Sequence, residues 1–385
     1  MSMRTITFLQ PRRLTFGPGC ITDCTAYIAA LGKPRVHIVS SPSMTTVINT
    51  LRVSLQELGC KVTFDLSVTA EPTISMFEKA LAYARAAGPT CVLGIGGGSP
   101  LDVAKLIAAF TYSEQAVQET FGIGLLKSRD CHLVCIPSTS GTGSEVSPNA
   151  ILLDEEAALK KGVVSTFLVP DATFIDPELT YSLPSSITAS TGLDALTHCV
   201  EAYTNLFAHP LVDLYALQGI TLCAKYLAMA VQDGHDIEAR IGMSLVSLYG
   251  GLCLGPVNTA AVHALAYPLG GEFHLAHGLS NAILLPAVFR FNAKSTPDRH
   301  ADVARALGAP AGLPDEETAA LGADLLTQLA EACGLICDLG RHGVTRGDIS
   351  RLARSAMTVT RLLKNNPRSI EQADAELIYH QCFLG

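Results

Sequence analysis

Charge is scarce in this chain: Asp, Glu, Lys and Arg make up 16% of its 385 residues. Nowhere do they gather into a long block of one sign, which excludes an acidic or basic tail. The balance is acidic, at −8, whereas a nucleic-acid surface would need clustered Lys and Arg. The N-terminal Met1-Ser2-Met3-Arg4-Thr5-Ile6 lacks the apolar core and small-residue cleavage site of a secretory signal. The most apolar helical stretches are read as interrupted by Gly, Pro or charge before the roughly 18 residues that a membrane span needs. Cys-x-x-Cys pairs are missing too. Among the 12 cysteines, Cys20/Cys24, Cys131/Cys135 and Cys333/Cys337 stand four apart. A core of this size needs no disulfide staples, so the thiols are expected to be reduced. There is no internal repeat and no low-complexity segment. The expectation is a soluble, cytoplasmic protein with neither membrane nor nucleic acid as partner.

Apolar residues supply 48% of the chain, enough for the two cores that 385 residues imply. The first half alternates strand-like and helical patterns. Val36–Ser40, Cys91–Ile95 and His132–Ile136 are short, nearly continuous apolar runs, while Met76–Arg85 has helical spacing that Gly88-Pro89 stops. Such alternation predicts a parallel sheet covered on both faces. Ala150–Leu153 and Gly162–Ser165 suit a hairpin around the polar residues 154–161, and Ala172–Asp176 reads as the last strand. From about Leu183 the pattern is helical to the end. The expected architecture is an α/β dinucleotide-binding, Rossmann-like domain over residues 1–183 and an all-α metal and substrate domain over 184–385.

Two loops directly follow strands. Gly96-Gly97-Gly98-Ser99-Pro100-Leu101-Asp102 places three glycines before a helix, with Ser99 read as its N-cap, Pro100 as its first residue and Asp102 as an acid suited to the positive helix end. Glycine lets backbone approach a ligand closely, and a helix N-terminus offers free N–H groups to phosphate. The spacing is not G-x-G-x-x-G, and a tight turn with no ligand is the alternative. Pro137-Ser138-Thr139-Ser140-Gly141-Thr142-Gly143-Ser144-Glu145 supplies hydroxyls for phosphate or ribose oxygens. Two such loops in one parallel sheet point to a ligand at the strands' carboxyl ends. Asn149 and Lys160 follow closely enough to face the same site.

The helical half holds a different chemistry. Asp194 and His198 are four apart, so they project from one helix face, either as two ligands of one metal or as a surface hydrogen-bonded pair. His263, His274 and His277 fall within fifteen residues, out of 11 histidines in the chain. Pro268 and Gly270-Gly271 are read as breaking the helix so that His277 folds back towards His263. One carboxylate with three imidazoles suits a divalent transition metal that polarises a carbonyl or stabilises an alkoxide. With nucleotide loops in one domain and a metal in the other, hydride transfer in the cleft between them is the expected reaction.

Taken together, Gly96–Lys105, Pro137–Val146, Val169–Thr180, Thr191–Tyr203, His263–Pro286 and Asn366-Pro367-Arg368 resemble the iron-containing (group III) alcohol dehydrogenase family over essentially the whole chain. The resemblance implies Asp194, His198, His263 and His277 as ligands of Fe²⁺, or of Zn²⁺. It also implies Gly97, Gly98, Ser99, Thr139, Ser140, Thr142, Asn149 and Lys160 as contacts of NAD or NADP. The implied activity is hydride transfer between the nicotinamide and a small alcohol or aldehyde, in a homodimer or larger homo-oligomer.

Three positions depart from the family pattern. Ser41 stands where many NAD-preferring relatives carry an acid for the ribose hydroxyls, so nothing there rejects a 2′-phosphate. Glu71 precedes Pro72-Thr73 where Asn is common, and its carboxylate is expected either to repel a phosphate or to face solvent. Tyr267 replaces a frequent histidine one turn after His263; with an ordinary pKa near 10 it is a weaker base at neutral pH, and His274 is its candidate substitute as proton carrier. Two other classes remain. A dehydroquinate-synthase-like enzyme would need cations for a phosphorylated substrate, yet Thr191–Tyr203 and Val257–Pro286 contain no Lys or Arg. A non-catalytic metal- or nucleotide-binding protein would bind both without turnover.

Overall fold

Strands buried on both faces lose the polar–apolar alternation of half-exposed ones, and the apolar runs of the first half behave accordingly. The computed structural model describes residues 4–32, 34–157 and 159–384. Its strands are β1 (Arg13–Phe16), β2 (Arg35–Val39), β3 (Lys61–Asp65), β4 (Cys91–Gly96), β5 (Gly122–Ile123), β6 (His132–Pro137), β7 (Asn149–Asp154), β8 (Leu159–Val164) and β9 (Ala172–Ile175). Six form a wholly parallel sheet in the order β1-β9-β6-β4-β2-β3. Helices α1 (Ile21–Ala29), α2 (Thr45–Glu57), α3 (Ile74–Ala87) and α4 (Gly98–Phe110) connect and cover it.

Successive side chains of the central strands feed opposite cores. Val92, Leu133 and Cys135 join the cluster under α3 and α4, while Leu93, Ile95, Val134 and Ile136 join the one under α1 and α2. This is a doubly wound sheet, and its register brings Gly96 of β4 beside Pro137 of β6. Gly94 permits the tight strand–helix contact, since a Cβ there would stand 2.7 Å from the Ala104 methyl. A hairpin of β7 and β8, joined by β5, makes a separate three-stranded sheet. The residues between β7 and β8 include position 158, which lies outside the described residues.

The remaining helices are α5 (Ser185–Tyr203), α6 (Pro210–Gln232), α7 (Ile237–Leu254), α8 (Ala261–Phe273), α9 (His277–Ala293), α10 (Pro297–Ala306), α11 (Asp315–Ala332), α12 (Ile349–Ala356), α13 (Thr360–Leu363) and α14 (Gln372–Gln381). They enclose one large apolar core. The chain divides into two compact units. One spans Leu9–Thr139 and Gly143–Tyr181; the other begins at Ser182 and also takes in Ser140–Thr142 and the N-terminal segment ending at Phe8.

Two local expectations are corrected. Glycine and charge do not interrupt the apolar helices, because α6 and α7 run unbroken for 23 and 18 residues, long and apolar enough to cross a membrane. Their glycines are close-approach points: Gly219 faces Cys199 of α5 with room for no Cβ, and Gly242 faces the Tyr226 ring. Both helices pack with α5, and α7 is mostly buried. Nor does α8 break at Pro268 or Gly270-Gly271. Proline removes the amide that would bond Ala264, but the neighbouring Leu265 carbonyl accepts from the Tyr379 hydroxyl at 2.6 Å. The reversal comes at His274, whose φ of 54° places it in the left-handed region as the C-cap of α8.

All 12 cysteines are free, and ten of them are buried. Burial pushes up the thiols of Cys24, Cys91, Cys135, Cys199 and Cys223 among others; even half-buried Cys20 reaches about 12, aided by Asp176, and Cys337 about 11.

Candidate active site

A helix presents residues four apart on one face. On α5 this aligns Asp194 and His198, both almost fully buried. His263 in the first turn of α8 and His277 at the first position of α9 meet them. Asp194 Oδ1 lies 3.9 Å from His198 Nε2, 3.6 Å from His263 Nε2 and 3.7 Å from His277 Nε2. The His198 and His263 rings stack at 4.8 Å, and the His263 and His277 rings meet edge-on at 5.2 Å. Ligand atoms of Asp194, His263 and His277 all lie within 4.8 Å of one another. The four residues expected as ligands are therefore brought together, with every histidine turning Nε2 to the same carboxylate oxygen. One oxygen and three convergent imidazole nitrogens, with Asp194, His198 and His263 buried and the His277 side chain 28% exposed, fit a divalent transition ion such as Fe²⁺ or Zn²⁺.

Glycine makes this convergence possible. Gly278, next to His277, packs on the α5 backbone so closely that a Cβ would collide with the Ser190 carbonyl group and stand 3.3 Å from the Asp194 Cβ. Gly250 of α7 likewise leaves 3.0 Å to the His198 Cβ.

Electrostatics divide the cluster. Burial opposes charge on Asp194, but His198, His277 and His263 together hold its carboxyl far below the usual range. Burial also disfavours a charged His263, yet Glu201 and Asp194 outweigh it and push the ring up to about 9. His198 is instead lowered to about 4 by burial, against the pull of Asp194.

Sequence reasoning missed two residues here. Glu201 lies on the Asp194 face of α5 and touches His263 and Val262. Asn281 Nδ2 donates to Asp194 Oδ1 at 2.7 Å and lies 3.1 and 3.4 Å from the Nε2 atoms of His263 and His277. Both carried a signal: Glu201 falls seven residues after Asp194, and Asn281 four after His277. Of the two proton-carrier candidates, Tyr267 is buried with its ring centroid 6.3 Å from that of His277, whereas His274 is exposed at the α8 C-cap.

Of the expected dinucleotide residues, Ser41, Gly97 and Thr139 follow the carboxyl ends of β2, β4 and β6, whereas Asn149 and Lys160 lie in β7 and β8. Ser41 follows β2, its hydroxyl 2.8 Å from that of Ser43. Gly97 is the N-cap of α4, with Gly98 and Ser99 already helical, which corrects the reading of Ser99 as the cap. The extended Gly97 backbone packs against Thr139, 3.3 Å from where a Cβ would stand. Ser140 and Thr142 lie in the segment that clusters with the helices; the Ser140 hydroxyl is 3.3 Å from that of Ser244, and Gly141 abuts Thr191.

Asp102 does not serve the helix end as expected. It is half-buried, accepting from the Ser144 hydroxyl at 2.5 Å and the Ile151 amide at 2.9 Å. Lys105, one turn on and fully buried, donates to the same hydroxyl and to the Asn149 carbonyl at 2.6 Å. Burial raises Asp102 and lowers Lys105, each opposed by the other's charge. This network fixes the backbone of Asn149, whose side-chain Oδ1 is buried with no partner among the described residues and is suited to a ligand donor.

Lys160 is nearly buried and ion-paired with Glu71. The Leu153 amide donates to the Pro72 carbonyl at 2.9 Å, and Leu153 pairs with Lys160 across the hairpin. The Glu71 carboxylate thus meets a cation while its side chain remains 36% exposed to solvent.

A doubly wound sheet with two glycine-rich loops at its strand ends, in a chain that also buries a carboxylate–imidazole cluster, defines a metal- and dinucleotide-dependent oxidoreductase. Residues 11–177 match the iron-containing alcohol dehydrogenase family, and residues 188–383 match the Fe-containing alcohol dehydrogenase family, C-terminal. The chain belongs to the iron-containing alcohol dehydrogenase family. It is 36% identical over 391 residues to long-chain-alcohol dehydrogenase 1 of Geobacillus thermodenitrificans, covering 100% of this chain and 98% of that one. A solved 1,3-propanediol oxidoreductase superposes with a TM-score of 0.95 at 31% identity, over 99% and 100% of the two chains. Sulfoacetaldehyde reductase of Bifidobacterium kashiwanohense, solved with NAD⁺, gives 0.87 at 27% identity, over 98% and 99%.

Proposed function

We propose that this protein transfers a hydride between NAD(P) and a small alcohol or aldehyde, with Fe²⁺ or Zn²⁺ held by Asp194, His198, His263 and His277. The convergence of three Nε2 atoms on one Asp194 oxygen carries the reading. When bound, the ion supplies Lewis-acid polarisation of the substrate oxygen, and the nicotinamide supplies or takes the hydride. Asp194, itself buried, contributes the negative charge that keeps a cation at the cluster. Gly97, Gly98, Ser99, Thr139, Ser140, Thr142 and Asn149 bind phosphate and ribose oxygens, while Lys160 supplies the cationic charge. Tyr267, buried beside His277, holds the proton for the substrate oxygen in preference to exposed His274. Residues 191–203 and 257–286, which carry the four proposed ligands, contain no Lys or Arg, which favours an uncharged substrate over a phosphorylated one. Reduced thiols throughout the fold support a cytoplasmic setting, and family resemblance supports a homo-oligomer.

The test is metal reconstitution without oxygen. With Fe²⁺ or Zn²⁺ added separately, oxidation of NADH or NADPH by a panel of small aldehydes is expected to depend on the ion. Because Ser41 is uncharged, NADPH is expected to serve as well as NADH. Absence of turnover with every ion, while nucleotide still binds, would defeat the redox reading.

Glu71 yields a separate prediction. Its carboxylate competes with a dinucleotide phosphate for Lys160, so Glu71→Gln is expected to tighten NADH binding about two- to fivefold, the range of a partly exposed ion pair. Fluorescence titration at low and high salt checks this, and the gain should shrink with salt. Weaker binding in the variant would show that Glu71 positions Lys160 instead.

A further inference from the structure

Glu201 is 4% exposed and lies seven residues beyond Asp194 on α5. A carboxylate this deep must have both oxygens satisfied. Oε1 accepts from the Val262 amide at 2.6 Å, and Oε2 meets His263 Nδ1 at 2.5 Å. Val262 is the second residue of α8, so its N–H is one of the donors a helix start leaves without an intrahelical partner. The N-cap, Ala260, offers no side chain to take it. Glu201 reaches across from another helix and does so instead.

The direction of these bonds has a chemical consequence. A backbone amide can only donate, which commits Oε1 as an acceptor. Oε2, the other oxygen of the same carboxylate, faces Nδ1 as an acceptor, so once the ring gives up one proton to become a ligand, the proton that stays sits on Nδ1. The lone pair then falls on Nε2, the atom 3.6 Å from Asp194 Oδ1. We infer that Glu201 is a positioning residue that sets the His263 tautomer, presenting Nε2 as a ready electron-pair donor, while it pins the start of α8 to α5. This rests on the reading of the cluster as a metal site, to which nothing so far has assigned Glu201. A carboxylate behind a ligating imidazole is a recurring way to orient the ring and raise its basicity.

Glu201→Gln tests the inference sharply, because glutamine has one acceptor and one donor in the same volume. If its oxygen faces Val262, its NH₂ faces His263 Nδ1 and drives the proton to Nε2, which blocks coordination. If it turns over, NH₂ opposes the Val262 amide. Zn²⁺ affinity, measured by chelator competition on the full chain, is expected to fall about 10- to 100-fold. Bound Co²⁺ should show an altered ligand-field spectrum at saturation. Glu201→Asp, which keeps two acceptors, should recover part of the loss. A Glu201→Gln protein with wild-type Zn²⁺ affinity and an unchanged Co²⁺ spectrum overturns the assignment alone. Wild-type protein that takes up neither ion overturns the metal reading beneath it. The tautomer can also be read without that variant. In ¹⁵N-histidine-labelled, Zn²⁺-loaded wild type, the resonance lost in His263→Gln should report a protonated Nδ1, and a protonated Nε2 there refutes the inference.

Discussion

Gly278→Ala is expected to destabilise the protein by about 3 kcal/mol, the upper part of the range for overpacking a rigid contact, and to loosen metal binding at the same time. The added methyl would overlap the Ser190 carbonyl oxygen and stand 2.7 Å from its carbon. These are backbone atoms within α5, so no side chain can swing aside, and α9 must slide away from α5. The slide falls between His277, adjacent to Gly278, and Asp194, one turn beyond Ser190. Stability and coordination are therefore damaged by one displacement. Urea unfolding of the metal-free protein and chelator competition of the loaded protein measure the two effects. Wild-type values in both would show that the helices have slack at this crossing.

The second large effect is expected from Asp194→Asn. The substitution keeps the shape but removes the charge around which three imidazoles gather. Breaking a buried charge pair typically costs about 3–5 kcal/mol, on the order of 10²- to 10⁴-fold in affinity. The variant should emerge from dialysis with little metal and turn over at background, while NADH still binds the glycine-rich loops. Metal content by atomic emission and nucleotide affinity by titration separate the two. A variant that retains stoichiometric metal would remove Asp194 from the ligand set.

What could be read from the sequence was local. Uninterrupted apolar runs in β2, β4 and β6 signalled buried parallel strands, and the glycines after β4 marked the sharp passage from strand into α4. The spacing of Asp194 and His198 was legible because one helix carries both. Interactions that depend on tertiary closure were not. Asp102 had the profile of an acid at a helix start, but its partners lie on residues 144 and 151. Glu71 and Lys160 meet only because the Pro72 carbonyl docks on β7. Proline and paired glycines read as a break in α8, yet Tyr379 from α14 satisfies a carbonyl beside the proline, and glycine there is buried within the packing. Glycines in α6 and α7 looked like interruptions for a similar reason: local propensity disfavours them, while a neighbouring helix demands them.

The thiols lend themselves to a different use. With ten of twelve buried and the two half-buried ones also shifted upwards, very little thiolate exists at neutral pH, and thiolate is the form that alkylating reagents attack. The folded protein should thus be nearly silent to such reagents, and each opening event would expose a burst of new reactive sulfur. Because the cysteines are spread over both units, from Cys20 to Cys382, the identity of the first peptides to acquire label would map which part of the molecule opens first.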